Sequence, residues 1–201
     1  MPEKLGIFGG TFNPVHNGHM RIAALAYEAF KLDRILMIPS GISYFKAGQY
    51  IPDGKVRYEM CRLAAVGHRF IEVSDIEIKR EGNSYTYETL RELKKSFGDA
   101  DFYYILGADS LFELRTFKNP EEILKSCHLL VSARDDYDSK ALRALVKSYE
   151  KDFDAVISVF NASNIDISSN MIRNMVKNGE DISDIVPPLV SEFINEKKLY
   201  R

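Results

Sequence analysis

Short apolar runs rich in β-branched and aromatic residues alternate along this chain with longer stretches whose apolar residues recur every three or four positions. The runs at 5–8, 34–38, 70–73, 102–106, 129–133 and 155–160 predict strands. Several are apolar on both faces, as a sheet covered on both sides requires. Of the helical stretches, 18–31 puts Ile22, Leu25, Ala26 and Ala29 on one face, and 53–66 does the same with Val56, Met60, Leu63 and Ala64. A third, 85–97, follows Ser84, a residue suited to cap it, and Asn119 before Pro120, Glu121 and Glu122 marks the start of a fourth. Further helices are predicted over 139–151, over 168–177 with Gly179 as its stop, and over 188–197. Strands alternating with crossover helices predict an α/β fold, a doubly wound parallel sheet with helices on both faces.

Composition fits one compact domain over residues 1–201: 45% of the residues are hydrophobic and 28% charged. The formal net charge of −2 draws the chain to neither nucleic acid nor anionic membrane. Any phosphate must therefore be met by local positive groups. Cys61 and Cys127 are far apart and have no metal or redox spacing, which predicts buried free thiols in a reducing compartment. The start of the chain has no apolar leader, and no run approaches a membrane span of roughly 20 residues. The expectation is a soluble, unprocessed, cytoplasmic protein, with self-association left open. Two loops stand out, 135–138 and the Gly- and aromatic-rich 41–52, whose length suits a substrate loop.

Residues 6–20, GIFGGTFNPVHNGHM, predict a buried strand that turns through Gly9 and Gly10 and enters a helix near Gly18. In open parallel sheets ligands bind at such a turn. The glycines let backbone N–H groups approach a phosphate, and His16 and His19 can place both rings beside the same anion at a helix start. Neither G-x-G-x-x-G nor G-x-x-x-x-G-K-[ST] accounts for the turn. Zinc ligation by the two histidines is disfavoured, because no third ligand is nearby and the pair lacks H-E-x-x-H spacing. On its own, the pair of glycines is better explained by a tight turn, with the histidines a satisfied cap. Near the other end, IDISSNMIRN sets Ser168 and Ser169 before a helix with Arg173 one turn in, an arrangement that reads as either an anion clamp or an ordinary N-cap.

The string GGTFNPVHNGH resembles the G-x-F-x-P-x-H-x-G-H signature of the adenylyltransferase branch of the nucleotidyltransferases, through Gly10, Phe12, Pro14, His16, Gly18 and His19. ISSNMIR is similar to that superfamily's I-S-S-T-x-I-R segment, with Asn170 in place of Thr. VSDIEIKREGNSYTYETLRELK, YYILGADSLFEL and DIVPPLVSEFINEKKLY resemble blocks of the nicotinate mononucleotide adenylyltransferases, so the likeness runs from Leu5 to Tyr200.

The resemblance implies a Rossmann-like fold of the HxGH nucleotidyltransferase type. The implied activity is adenylyl transfer from ATP to nicotinate mononucleotide in NAD biosynthesis, with Mg²⁺ carried mainly on the ATP phosphates. It gives His16, His19 and Arg173 catalytic roles, and assigns Gly9, Gly10, Thr11, Phe12, Lys46, Gly107, Asp109, Ser168 and Ser169 to ATP and its phosphates. Tyr85, Thr86, Phe117 and Arg134 are assigned to the nicotinate nucleotide. Three positions depart from the family pattern: Phe45 stands for a His, Phe117 for a Trp, and ARDD at 133–136 replaces an R-P-G turn. Competing readings are a related adenylyltransferase that takes nicotinamide mononucleotide or phosphopantetheine, and a non-catalytic nucleotide-binding regulator.

Overall fold

The computed structural model describes residues 1–41, 51–133, 139–162 and 166–201. All six predicted strands form: β1 (Lys4–Gly10), β2 (Arg34–Pro39), β3 (Ile71–Val73), β4 (Asp101–Gly107), β5 (His128–Ala133) and β6 (Ile157–Asn161). They make one parallel sheet in the order β3-β2-β1-β4-β5-β6. The chain winds outward from β1 to β3, then returns to lay β4 against the other side of β1. That reversal opens a crevice at the carboxyl ends of β1 and β4, where doubly wound sheets bind their ligands.

Alternate side chains of each strand enter opposite cores. Phe8, Ile35, Met37 and Ile105 pack on one face against α1 (Asn17–Phe30), α2 (Gly54–Ala65), α8 (Ser169–Lys177) and α9 (Pro188–Glu196). On the other face Leu5, Ile7, Leu36, Phe102 and Leu129 meet α4 (Thr86–Phe97), α5 (Ala108–Glu113), α6 (Pro120–Ser126) and α7 (Ser139–Phe153). Leu5 and Ile7 are 0% and 1% exposed. At about 1.5–3 kcal/mol for each fully buried side chain, they anchor β1 firmly enough for its last two residues to be glycines with nothing to bury.

The remaining helix, α3 (Ile76–Lys79), and α5 are not visible in the hydrophobic pattern, because four and six residues are too few to set a period. One expected cap is wrong. α4 is capped by Tyr85, extended at φ −122° and ψ 132°, and not by Ser84. The Ser84 hydroxyl is instead buried near the Glu77 carboxylate of α3, whose charged form it favours without a hydrogen bond of full geometry. The thiols are both free, Cys61 buried and Cys127 half-buried. Among the described residues no helix is long and apolar enough to cross a membrane.

Candidate active site

The segment after β1 does not simply turn. Phe12 adopts a left-handed backbone, φ 47°, which folds its ring back over Gly10. A Cβ at Gly10 would come within 3.1 Å of that ring, so a side chain there would displace it. The ring is 2% exposed and stands edge-on to both Phe8 and His19, with centroids 5.6 Å and 5.0 Å away. Phe12 thus braces His19 through its buried ring.

His16 caps α1 and His19 lies in its first turn. The His16 N–H donates to His19 Nδ1 at 3.2 Å, while the His19 N–H donates to the His16 carbonyl at 2.9 Å. With Nδ1 accepting, a neutral His19 carries its ring proton on Nε2. The two rings lie 3.7 Å apart between centroids, and His16 is 5% exposed. Packing and hydrogen bonding therefore fix both imidazoles before any ligand arrives.

The C-terminal motif comes directly to this turn. Arg173 Nη1 donates to the Asn13 carbonyl at 2.8 Å, and the Ser169 hydroxyl donates to the Pro14 carbonyl at 2.9 Å. Ser168 caps α8 by accepting the Met171 N–H at 3.2 Å. Each serine hydroxyl is thus engaged within the chain, so what the start of α8 offers an anion is mainly backbone N–H. Asn170 keeps a hydrogen-bonding role, its Oδ1 accepting from Arg173 Nη2 at 3.1 Å. Behind them the buried Tyr200 hydroxyl donates to Asn13 Oδ1 at 2.8 Å.

Across the crevice lies a cavity of about 350 Å³, lined by Gly9, Gly10 and Thr11 on one side and by Tyr85, Thr86, Tyr104 and Phe117 on the other. The Tyr104 phenol is pushed up to about 12 by burial, with the Thr86 hydroxyl pulling the other way, so it enters as a neutral donor. Gly107 ends β4, and a Cβ there would meet no atom within 4 Å, leaving open space above the strand. Asp109 follows in the exposed first turn of α5. Lys46, Phe45 and Arg134 lie outside the described residues.

Two buried charges missed in the sequence hold these parts in register. Arg57 of α2 is 3% exposed and donates to three carbonyls: Thr11 at 2.9 Å, Gly41 at 3.2 Å and Pro52 at 3.1 Å. It ties the phosphate turn to both residues that flank the segment carrying Lys46. Burial lowers its pKa from the ordinary guanidinium value, and it remains a cation. Glu77 takes the Thr89 hydroxyl at 2.7 Å; burial raises its carboxyl pKa while Thr89, Arg80, the Gly41 N–H and Ser84 draw it back. A Cβ at Gly41 would overlap the Glu77 carbonyl oxygen and Ser84 Oγ, which only glycine avoids. Arg57→Leu should cost about 3 kcal/mol, because three carbonyls, one buried and two half-buried, each lose a donor at roughly 1 kcal/mol. Urea unfolding measures this, and a loss under 1 kcal/mol would mean water replaces the guanidinium.

Comparison with known proteins agrees with this architecture. The family model described as Cytidylyltransferase-like matches residues 7–175. A Clostridium novyi protein named probable nicotinate-nucleotide adenylyltransferase is 40% identical over 99% of this chain and 100% of its own length. A Clostridium tetani protein of the same name is 38% identical, with the same coverage of both chains. Among solved structures, Plasmodium falciparum nicotinic acid mononucleotide adenylyltransferase complexed with NaAD superimposes with a TM-score of 0.82 at 17% identity, over 98% of this chain and 97% of that one. At that identity the likeness is one of fold.

Proposed function

This chain belongs to the nicotinate-nucleotide adenylyltransferases of the cytidylyltransferase-like family, and on that premise we propose how its residues join nicotinate mononucleotide to the adenylyl group of ATP in NAD biosynthesis. The observation that carries the proposal is the meeting of Arg173 and Ser169 with Asn13 and Pro14 beside the fixed His16–His19 pair, on the turn whose Gly9, Gly10 and Thr11 line the cavity with Tyr85 and Phe117. The turn after β1 thus serves a phosphate-binding end and an aromatic-lined end.

The 5′-phosphate of the mononucleotide is already a nucleophile. Its oxygen attacks the α-phosphorus of ATP in line, forming one P–O bond while the bond to pyrophosphate breaks. The chain has to supply position and charge. His19 Nε2–H and His16 stabilise the transferring phosphate. Arg173, with the N–H groups that begin α8 at Ser168 and Ser169, holds the leaving pyrophosphate, and Lys46 assists nearby phosphate oxygens. Gly9, Gly10 and Thr11 let the nucleotide lie against backbone, with Phe12 as their support. Gly107 and Asp109 meet base and ribose; Tyr85, Thr86 and Phe117 enclose the pyridine ring, with Arg134 beside the nucleotide.

Mg²⁺ supplies charge neutralisation when it accompanies ATP, held mainly by phosphate oxygens and water. The donors here fit a substrate-borne ion: they are imidazole, guanidinium and backbone N–H, and among the described residues no three His, Cys, Asp or Glu side chains converge on one point. One domain spanning the chain carries all of these parts, and the reducing surroundings suited to two free thiols make the cytoplasm its place of work.

Incubation with ATP and either pyridine mononucleotide, following pyrophosphate release and dinucleotide formation, tests the proposal. Turnover with neither would favour a nucleotide-binding regulator. Arg173→Ala should raise KM for ATP, lower kcat, and weaken pyrophosphate in the reverse reaction more than it weakens the mononucleotide. Equal weakening of the two ligands would make Arg173 a strut for the Asn13 carbonyl and not a leaving-group clamp.

A further inference from the structure

The rim of the pyridine cavity carries a cation that the motif reading left unused. Lys118 Nζ lies 4.4 Å from the centroid of the Tyr85 ring, and both residues line the cavity together with Phe117, Thr86 and Tyr104. We propose that Lys118 is a specificity-determining residue, whose ammonium supplies the charge that favours a pyridine carboxylate over a pyridine carboxamide in the acceptor. The proposal rests on the mononucleotide reading given above.

The position is held from both sides along the chain. Phe117 closes a 3₁₀ turn over Leu114–Thr116, its N–H donating to the Leu114 carbonyl at 3.1 Å. Asn119, left-handed at φ 52°, begins α6. Lys118 is the link between these two fixed turns, so its backbone has little freedom to swing away. The Tyr85 ring then gives the ammonium a defined resting place, since the face of an aromatic ring attracts a cation within about 6 Å. Tyr85 is also the residue from which α4 starts, so the cation and the start of α4 occupy the same corner of the cavity.

The other charged side chains of the cavity make this cation consequential. Among the described residues they are Glu77 and Glu113, both acids. Glu77 is 9% exposed, its carboxyl raised by burial and drawn back by the Thr89 hydroxyl, Arg80, the Gly41 N–H and Ser84; Glu113 is exposed at the mouth. Without Lys118 every charge that the described residues place on the wall would disfavour a carboxylate and leave a carboxamide indifferent. Tyr104 donates a neutral hydroxyl that either group can accept, so it does not discriminate by charge.

The test compares the unmodified chain, Lys118→Gln and Lys118→Arg, each checked for folding by circular dichroism. For each, kcat/KM is measured with nicotinate and with nicotinamide mononucleotide at low and at physiological ionic strength. Lys118→Gln should lower the acid-over-amide ratio about three- to tenfold, mostly through KM for the acid, the range expected of a partly solvated ion pair. Lys118→Arg should retain most of the ratio. Added salt should shrink the ratio in the unmodified chain and leave it nearly flat in Lys118→Gln. A preference that survives Lys118→Gln within twofold would overturn the role of Lys118 while the acceptor assignment stands. No preference in the unmodified chain would overturn both.

Discussion

His19→Ala should fold normally and yet lower kcat about 10²- to 10³-fold, the usual cost of removing one donor aimed at developing charge. The reason lies in how the ring is held. Its Nδ1 is occupied by the His16 amide at 3.2 Å, so the proton sits on Nε2, and the edge of Phe12 with the face of His16 leaves little rotational freedom. Such a donor needs no reorganisation as charge builds on the transferring phosphate. The ring is also packed, so a melting curve has to accompany the kinetics. A well-folded variant with near-normal kcat would remove His19 from the chemistry and leave it as the brace of the His16 amide.

The second large effect concerns the acceptor. Nicotinate mononucleotide should exceed its nicotinamide analogue by about 10²- to 10⁴-fold in kcat/KM, if two charge-assisted hydrogen bonds of roughly 1.5–3 kcal/mol each are lost with the amide. Tyr85 caps α4 without a side-chain hydrogen bond, and the Glu88 and Thr89 N–H groups already donate to its carbonyl at 3.1 Å and 3.2 Å. Among the described residues this leaves the Thr86 and Tyr87 amides to meet a carboxylate at the positive end of the helix. Because the donors are backbone groups, Thr86→Ala should change the preference only modestly. Thr86→Pro is the sharper probe. Proline is tolerated as the first residue of a helix, and Tyr85 already has the extended conformation that a residue before proline adopts. The helix should persist while one donor disappears, and the preference should fall well beyond that of Thr86→Ala. Comparable kcat/KM for both mononucleotides in the unmodified chain would point to a dual-specificity enzyme, with Phe45 and Phe117 the first positions to exchange.

The sheet was legible because its strands are short, apolar and evenly spaced by amphipathic helices, so periodicity alone carried the order of elements. The two segments that meet at Asn13 and Pro14 were legible through the whole strings GGTFNPVHNGH and ISSNMIR, which resemble family signatures; taken alone, their glycines and serines read as a turn and a cap. Arg57 and Glu77 were not. On a helical wheel an Arg in GKVRYEM reads as a solvated face, and nothing local reveals that Thr11, Gly41 and Pro52 converge on it. Ser84 looked like a cap because short hydroxyl residues favour caps; α4 starts one position later, at Tyr85, and leaves the Ser84 hydroxyl buried near Glu77 of another helix. Lys118 gave no signal, since its meaning depends on a ring 33 positions before it.

The bond from Tyr200 to Asn13 spans 187 positions, and the bond from Arg173 to Asn13 spans 160. During synthesis the turn after β1 leaves the ribosome well before the groups that hold it. Until they arrive, Asn13 and Pro14 have no scaffold on that side, and a nascent chain has no finished place for ATP. Contacts of such long range also slow the final folding step, because the loop they close must be ordered before it is rewarded. Nucleotide binding by ribosome-bound chains of increasing length should therefore appear abruptly once α8 and the segment through Tyr200 have cleared the exit tunnel, and not grow in proportion to the length of sheet already made.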